Sequence, residues 1–304
     1  MKIGLAIKDP MLSYNMRRKR MTKDEVIAIE KSMGKNIERI IASTERQLNN
    51  AQKVREIFDF ASEVDVYKIF DLHEIPPDFD AIIALGGDNH FQKVAQLYKN
   101  AIIIGANSDS ITSHGGILQF SVNELITNAD RIKQGDIPFE EWTMIATYKN
   151  EYRLPDAICN VDFPASHYMA RFMIKGIEDN KEWSEEQKCS RAVIATGAGS
   201  ADGSHYHSIV ALLKTKYPEQ FQGEIEFQRD EPLIKAVSET PFRSGQPLYN
   251  HLNPLALSGQ AVEYKVWHMN DSTLAIDTVH FYPLQEGDKL TFKVSEKKLK
   301  VAIK

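Results

Sequence analysis

The first half of the chain alternates short apolar runs with longer stretches of helical period. Lys2–Lys8 (KIGLAIK) reads as a strand closed by Asp9-Pro10. Thr22-Lys23-Asp24-Glu25 has the form of a capping box, in which a hydroxyl and a carboxylate three residues apart satisfy each other's backbone amides, so a helix opens there. Ile37, Ile40, Ile41, Leu48, Val54 and Ile57 continue at helical spacing to about Phe60, with a break near Gly34. Val64–Phe70 reads as a strand and Ile75-Pro76-Pro77 as a turn. Phe79–Leu85 and Ala101–Ala106 are apolar runs of the kind buried on both faces of a parallel sheet, with a helix at Phe91–Tyr98 between them. This alternation predicts an α/β domain with a mostly parallel sheet.

After about Pro138 the pattern changes. Strand-like runs follow at Trp142–Tyr148, Ala157–Phe163, Tyr168–Ile174 and Arg191–Thr196, then at Ala261–His268, Thr273–Val279, Lys289–Ser295 and Leu299–Ile303. Val262, Tyr264 and Val266 alternate with Glu263 and Lys265, as in a half-buried strand. One helix is predicted at His207–Lys214. The expectation is two domains, residues 1–137 α/β and 138–304 β-rich, with the boundary in Gly135–Phe139.

Composition narrows the class. The 304 residues are 42% hydrophobic and 26% charged, which excludes wholesale disorder and collagen-like structure. A net charge of −5 argues against a nucleic-acid-coating protein. No apolar run reaches the roughly 18–20 residues of a membrane span, and the N-terminal run is too short for a signal-peptide core. No nucleic-acid or membrane partner is expected. Cys159 and Cys189 lack metal-ligand spacing, so a reducing cytoplasm is the expected location. The basic run Arg17-Arg18-Lys19-Arg20 reads as a solvated loop, with phosphate binding or targeting as the other readings. His205-Tyr206-His207 has the spacing of a zinc pair on an extended segment, but reads better as a surface pair opening a helix. Trp142, Trp183 and Trp267 are too scattered to form a stacking platform, and the lysines near the C-terminus read as a solvated sheet face.

Three segments carry candidate chemistry. In Ala81–Asn89, Gly86-Gly87-Asp88-Asn89 follows a buried strand. The glycines let a ligand approach the backbone, and the next helix start offers free N–H groups to an anion. Asp88 reads as a general base or magnesium partner, or equally as a helix N-cap. In Ile102–Asp109, Asn107, Ser108 and Asp109 end a second strand, with His114-Gly115-Gly116 just beyond; ordinary strand-end polarity is the alternative. In Ala192–Ser204, a strand enters Thr196-Gly197-Ala198-Gly199-Ser200, which reads as a phosphate-cradling loop or a plain turn. Its G-x-G-x-x-x-G spacing departs from the dinucleotide fingerprint, and no G-x-x-x-x-G-K-[ST] occurs, which disfavours a Rossmann dehydrogenase and a P-loop NTPase.

In order and spacing these segments resemble the NAD kinase family. Gly86-Gly87-Asp88-Asn89 stands for Gly-Gly-Asp-Gly, Gly105-Ala106-Asn107 for Gly-x-Asn, and Asn160-Val161 for Asn-Glu. Thr196–Ser200 stands for the Thr-Gly-Ser loop, and Ala275-Ile276-Asp277-Thr278 for the closing strands. The resemblance covers Phe79 to the C-terminus and implies a two-domain fold with an active crevice between the domains. It also implies transfer of the ATP γ-phosphate, with Mg²⁺, to the adenosine-ribose 2′-hydroxyl of NAD, giving NADP. Asp88 would be the catalytic base. Gly86, Gly87, Asn89, His90, Asn107, Ser108, Asp109, Asn160, Asp162, Thr196, Gly197, Ala198, Gly199 and Ser200 would bind the nucleotide. A homo-oligomer is expected by the same resemblance.

The departures are Asn89 for glycine, Val161 for glutamate, Gly203 for an aromatic residue and Thr278 for glycine. They keep two alternatives open: a related kinase acting on another alcohol (a nucleoside, sugar or lipid), and a non-catalytic nucleotide-binding sensor. No Lys or Arg lies within the glycine motifs, so backbone N–H groups and Mg²⁺ would carry most of the phosphate charge, aided by Arg17–Arg20 if that run folds over the site.

Overall fold

The computed structural model describes residues 1–165, 169–218, 221, 224–241, 249–268 and 272–304. The chain forms two compact units, Met1–Phe139 with Val301–Lys304, and Glu140–Lys300.

The first unit contains strands β1 (Ile3–Ile7), β2 (Ser62–Val64), β3 (Ala81–Gly86), β4 (Ile102–Asn107) and β5 (Phe120–Ser121). Its helices are α1 (Met11–Arg18), α2 (Lys23–Ser32), α3 (Ile37–Ile57), α4 (Val66–Leu72), α5 (Asp88–Leu97), α6 (Val122–Thr127) and α7 (Ala129–Gln134). The strands pair in parallel in the order β2-β1-β3-β4, and β5 adds to β4. The end of the chain's last strand also runs parallel to β4, through Val301 and Ile103. Every residue of β3 is buried, which accounts for its unbroken apolar sequence. The capping box forms: Thr22 accepts from the Glu25 amide, and the Glu25 side chain accepts from that of Thr22. The helical stretch breaks where Gly34 adopts φ +75°, a left-handed conformation open to glycine.

Two local expectations are corrected. Val64–Phe70 is not one strand. β2 ends at Val64, and Asp65 caps α4 by accepting from the Lys68 amide at 3.0 Å. Val66 and Ile69 are buried one helical turn apart, a spacing that a short apolar run does not distinguish from a strand. The basic run is not a free loop either: Arg17 and Arg18 form the last turn of α1, bonded to Asp9 and Asp65.

The second unit contains β6 (Phe139–Lys149), β7 (Tyr152–Arg153), β8 (Asn160–Pro164), β9 (Ala170–Glu178), β10 (Lys181–Cys189), β11 (Arg191–Ala195), β12 (Leu233–Glu239), β13 (Leu255–Leu257), β14 (Ala261–His268), β15 (Ser272–Ile276), β16 (His280–Leu284), β17 (Lys289–Ala302) and, among the described residues, one α-helix, α8 (His205–Lys216). Within this unit β10-β9-β14-β17 forms one antiparallel sheet, which β6 joins through β17, and β13-β12-β11-β8-β15-β16 forms another. Their inner faces share an aromatic core. Phe163 meets Phe172 and Tyr264 edge-on, with ring centroids 5.3 and 5.1 Å apart, and stacks on Phe292 at 5.9 Å. Tyr168, predicted to open a strand, lies outside the described residues.

The two predicted C-terminal strands are one, β17. The polar residues between them find lateral partners: Ser295 Oγ donates to Asp156 at 2.8 Å, and Lys298 Nζ to Thr143 Oγ1 at 2.6 Å. β10 carries too few apolar residues to show in the sequence pattern. Its signal is the Asp179-Asn180 turn, in which both residues have positive φ, as tight hairpins need. Truncating Phe163 to alanine should cost about 3–5 kcal/mol in denaturant unfolding, and a loss below about 1 kcal/mol would contradict this account of the core.

Candidate active site

In the first unit the chain leaves β1 toward β2 on one side and returns as β3 on the other. At such a switch point the loops at the carboxyl ends of the strands diverge and leave room for a ligand. Three segments meet at that edge. The Lys8 amide donates to Leu85 O at 2.9 Å, and the Ser108 amide to Gly86 O at 3.0 Å. This registers the end of β1 and the start of the β4 loop against Gly86-Gly87-Asp88.

Asp88 is the first residue of α5, whose N-cap, Gly87, provides no side-chain hydrogen bond. The half-buried Asp88 carboxylate accepts from the amides of Gly116 and Ile117, each at 3.2 Å. Asn107 holds the same loop. Its amide nitrogen donates to Ser113 O at 3.0 Å and its oxygen accepts from the Asp109 amide at 3.0 Å. Gly115, at φ +67°, has no room for a side chain, because a Cβ would lie 2.6 Å from Asn107 Nδ2.

The remaining residues of this set have internal roles. The Asp109 carboxylate accepts from Ser43 at 2.6 Å, from Thr112, and from Arg46 through two bonds of 3.0 and 3.1 Å. Burial alone would raise its pKa, but these donors and the Arg46 charge hold it well below the usual carboxylate range. Ser108 O accepts from Asn50 at 3.0 Å. Gly86 makes room for His90, since a Cβ there would lie 2.7 Å from the ring. Gly87 is more open, its nearest neighbour being Ser113 Oγ at 3.3 Å. Asn89, in the place of the motif's last glycine, sits on the exposed side of the first turn of α5. His90 points inward. Its Nε2 bonds Ala6 O at 3.0 Å, its Nδ1 is buried without a hydrogen-bond partner among the described residues, and the ring stacks on Tyr67. Burial drives its pKa down to about 4, with the nearby Lys8 and Lys93 charges adding to the fall.

In the second unit a carboxylate that the sequence reading placed only in the closing strands organises the predicted loop residues. Asp277, at φ +50° and buried, accepts from the amides of Ile158 at 2.7 Å, Cys159 at 2.8 Å and Asn160 at 3.1 Å. Thr196 Oγ1 donates to Ile158 O at 2.7 Å and accepts from the Gly199 amide at 3.2 Å. Ser200 Oγ donates to Gly197 O at 2.8 Å and accepts from the Phe227 amide at 3.1 Å. Both glycines are demanded by protein packing. A Cβ on Gly197 would lie 2.1 Å from Gln228 O, and one on Gly199 2.1 Å from Cys159 O. Ala198 is buried beside them. The Asn160 amide satisfies its surroundings when its nitrogen faces Cys159 O and Gly199 O, at 3.0 and 3.3 Å. Asp162 faces the other side of β8 from Val161. It accepts from His205 Nδ1 at 2.8 Å and from Arg191 at 3.4 Å, and its second oxygen is buried without a hydrogen-bond partner among the described residues.

The His205-x-His207 pair opens α8 behind the cap Ser204, with His207 bonded to Ser200 O at 3.2 Å. Among the described residues no group of three or more His, Cys, Asp or Glu side chains could hold a metal. No helix among them is long and apolar enough to cross a membrane.

No protein-family model matches the chain, and no curated protein does. Solved structures do. One is an NAD kinase from Archaeoglobus fulgidus in complex with ATP, with TM-score 0.57 and 14% identity, covering 83% of this chain and 88% of that one. Another is yeast NADH kinase complexed with NADH, with TM-score 0.58 and 12% identity, covering 86% of this chain and 80% of that one. The chain has an NAD kinase-like fold.

On this NAD kinase-like fold, the place of the expected glutamate is taken by a core residue. Val161 is fully buried in the aromatic core of the second unit, paired with Ile194 and Ile276. Gly203, in the aromatic place, adopts φ +84° with open space around it. Thr278 follows Asp277 in the left-handed region at φ +54°, the conformation for which glycine is the usual residue.

The burial of His90 has a pH signature. Its folded pKa, about 4, lies below its ordinary value of 6.5, so the unfolded chain takes up the proton first. Its contribution is complete above about pH 6.5 and is lost as the pH falls toward 4. Between pH 7 and 4.5 the wild-type protein should therefore lose more stability in chemical denaturation than His90→Gln. Equal losses would contradict the buried neutral imidazole.

Proposed function

We propose that this protein is an ATP-dependent kinase that phosphorylates the 2′-hydroxyl of the adenosine ribose of NAD, giving NADP. One observation carries the reading: on an NAD kinase-like fold, the Asp88 carboxylate stands at the switch-point edge of the parallel sheet, on a helix start with no side-chain cap. Phosphoryl transfer asks a protein mainly for positioning and charge stabilisation, and this edge offers a base beside backbone donors.

In the reaction, Asp88 accepts the proton of the ribose hydroxyl as that oxygen forms its bond to the γ-phosphorus. The bond from the γ-phosphorus to the bridging oxygen breaks, ADP leaves, and Asp88 returns the proton to solvent. A positioned base of this kind contributes about 10²–10⁴-fold. The amides at the start of α5 would face the phosphates, favoured by the helix dipole. Mg²⁺ would arrive with the substrate phosphates, with Asp88 as the carboxylate nearest to them, and would supply charge neutralisation. Asp109 would act by fixing the loop after β4, because its oxygens are already bonded to Ser43, Thr112 and Arg46. Asn160 would read the nucleotide from a backbone held by Asp277. The same reading takes a small-molecule nucleotide as partner and a homo-oligomer as the working state.

A second reading, a kinase for a different alcohol, draws on Val161 and Gly203, which put a core side chain and open space where the family's contacts would be. The test is NADP formation from NAD, ATP and Mg²⁺. The wild-type protein should turn over, and Asp88→Asn, which keeps one of the two amide bonds to the 116–117 loop, should be at least about 100-fold slower. Turnover only with a nucleoside, sugar or lipid acceptor would transfer the assignment to the second reading. ATP binding without phosphorylation of any acceptor would leave a sensor.

A further inference from the structure

A phosphate site needs positive charge, and neither glycine motif contains any. The cations around the edge of the first unit are mostly engaged. Arg17 pairs with Asp9, Arg18 with Asp65 and Arg46 with Asp109, while Lys93 lies over the Tyr67 ring at 4.7 Å. Lys8 differs from all of these. It is the first residue beyond β1, fixed by its amide bond to Leu85 O at 2.9 Å, and the parallel register that pairs Ile7 with Leu85 sets it beside Gly86-Gly87. It is half-buried and, among the described residues, forms no salt bridge.

We infer that Lys8 is the phosphate-binding cation of this site, its ammonium standing beside Asp88 at the β1–β3 switch point and taking up charge of the nucleotide's polyphosphate. The inference rests on the kinase reading and adds to it a residue that no glycine motif contains. Burial lowers the Lys8 pKa, and the Asp88 charge opposes that fall. Lys8 also bears on His90, whose protonation it disfavours. An ammonium that is partly stripped of water and has no salt-bridge partner among the described residues loses little on meeting an anionic oxygen. A lysine suits this place better than an arginine, because the ammonium is a compact point charge on a flexible stem that can follow a moving phosphoryl group.

The experiment compares binding of ATP with Mg²⁺, inorganic tripolyphosphate and adenosine to the wild-type protein, Lys8→Met and Lys8→Arg. A charge-assisted bond of ordinary strength predicts about 10–100-fold weaker ATP and tripolyphosphate binding by Lys8→Met. Adenosine affinity should be unchanged, and Lys8→Arg should restore most of the loss. The melting temperature of Lys8→Met should equal or exceed that of the wild type, since a half-buried ammonium has been removed. ATP binding by Lys8→Met within twofold of the wild type would overturn the inference and leave the kinase reading standing. An equal loss for adenosine would also overturn it, by showing a structural role. Failure of the wild-type protein to bind ATP at all would sink the kinase reading together with the inference.

Discussion

A carboxylate at the start of a helix usually serves that helix, accepting from its own first amides. Asp88 does otherwise. Its two oxygens accept from Gly116 and Ile117, almost thirty residues further on, and so tie the start of α5 to the loop beyond β4. Asn107 and Gly115 support that tie from the other side. The N-cap, Gly87, has no side chain to offer, so α5 opens without a side-chain cap and with a negative charge beside its first amides. The arrangement is stable because the amides and the carboxylate attract each other. It is also suited to chemistry, because both face the edge where β1 and β3 diverge. The rest of the first unit fits around it: β3 and β4 buried along their length, Asp109 bound on three sides, and His90 packed over Gly86.

The second unit follows the same logic with a different carboxylate. Asp277 gathers three consecutive amides, Ile158 to Asn160, and Thr196 binds the carbonyl of the first. The Thr196–Ser200 loop is thus held from beneath, and its glycines are required by the carbonyls of Gln228 and Cys159 that pack against them. These glycines would be needed with or without a ligand. The motif therefore fixes the fold of the loop first, and whatever it binds is presented with a backbone already in place.

Much of this was legible in the sequence, for identifiable reasons. Strands buried on both faces write themselves as unbroken apolar runs, so β3 and β4 were plain. The alternation in Ala261–His268 gave β14 to the residue. The capping box at Thr22 announced α2 through local chemistry alone. Legibility failed where partners come from far along the chain. β10 is paired on one side only and is largely polar. Asp65 turns an apolar run into a helix through one side-chain bond. Asp277 acts on amides more than a hundred positions earlier. Lys8 was hidden for the same reason: a charge ending a strand looks like an ordinary terminus until the parallel register brings Gly86-Gly87-Asp88 beside it.

The proposed function puts phosphoryl transfer at the switch-point edge of the first unit. A crystal structure of the protein with a non-hydrolysable ATP analogue and Mg²⁺ tests this most directly. The account predicts the terminal phosphate over Gly87 and Asp88, within hydrogen-bond reach of the amides that open α5. An analogue bound away from that edge, with its phosphates remote from Asp88, would contradict it.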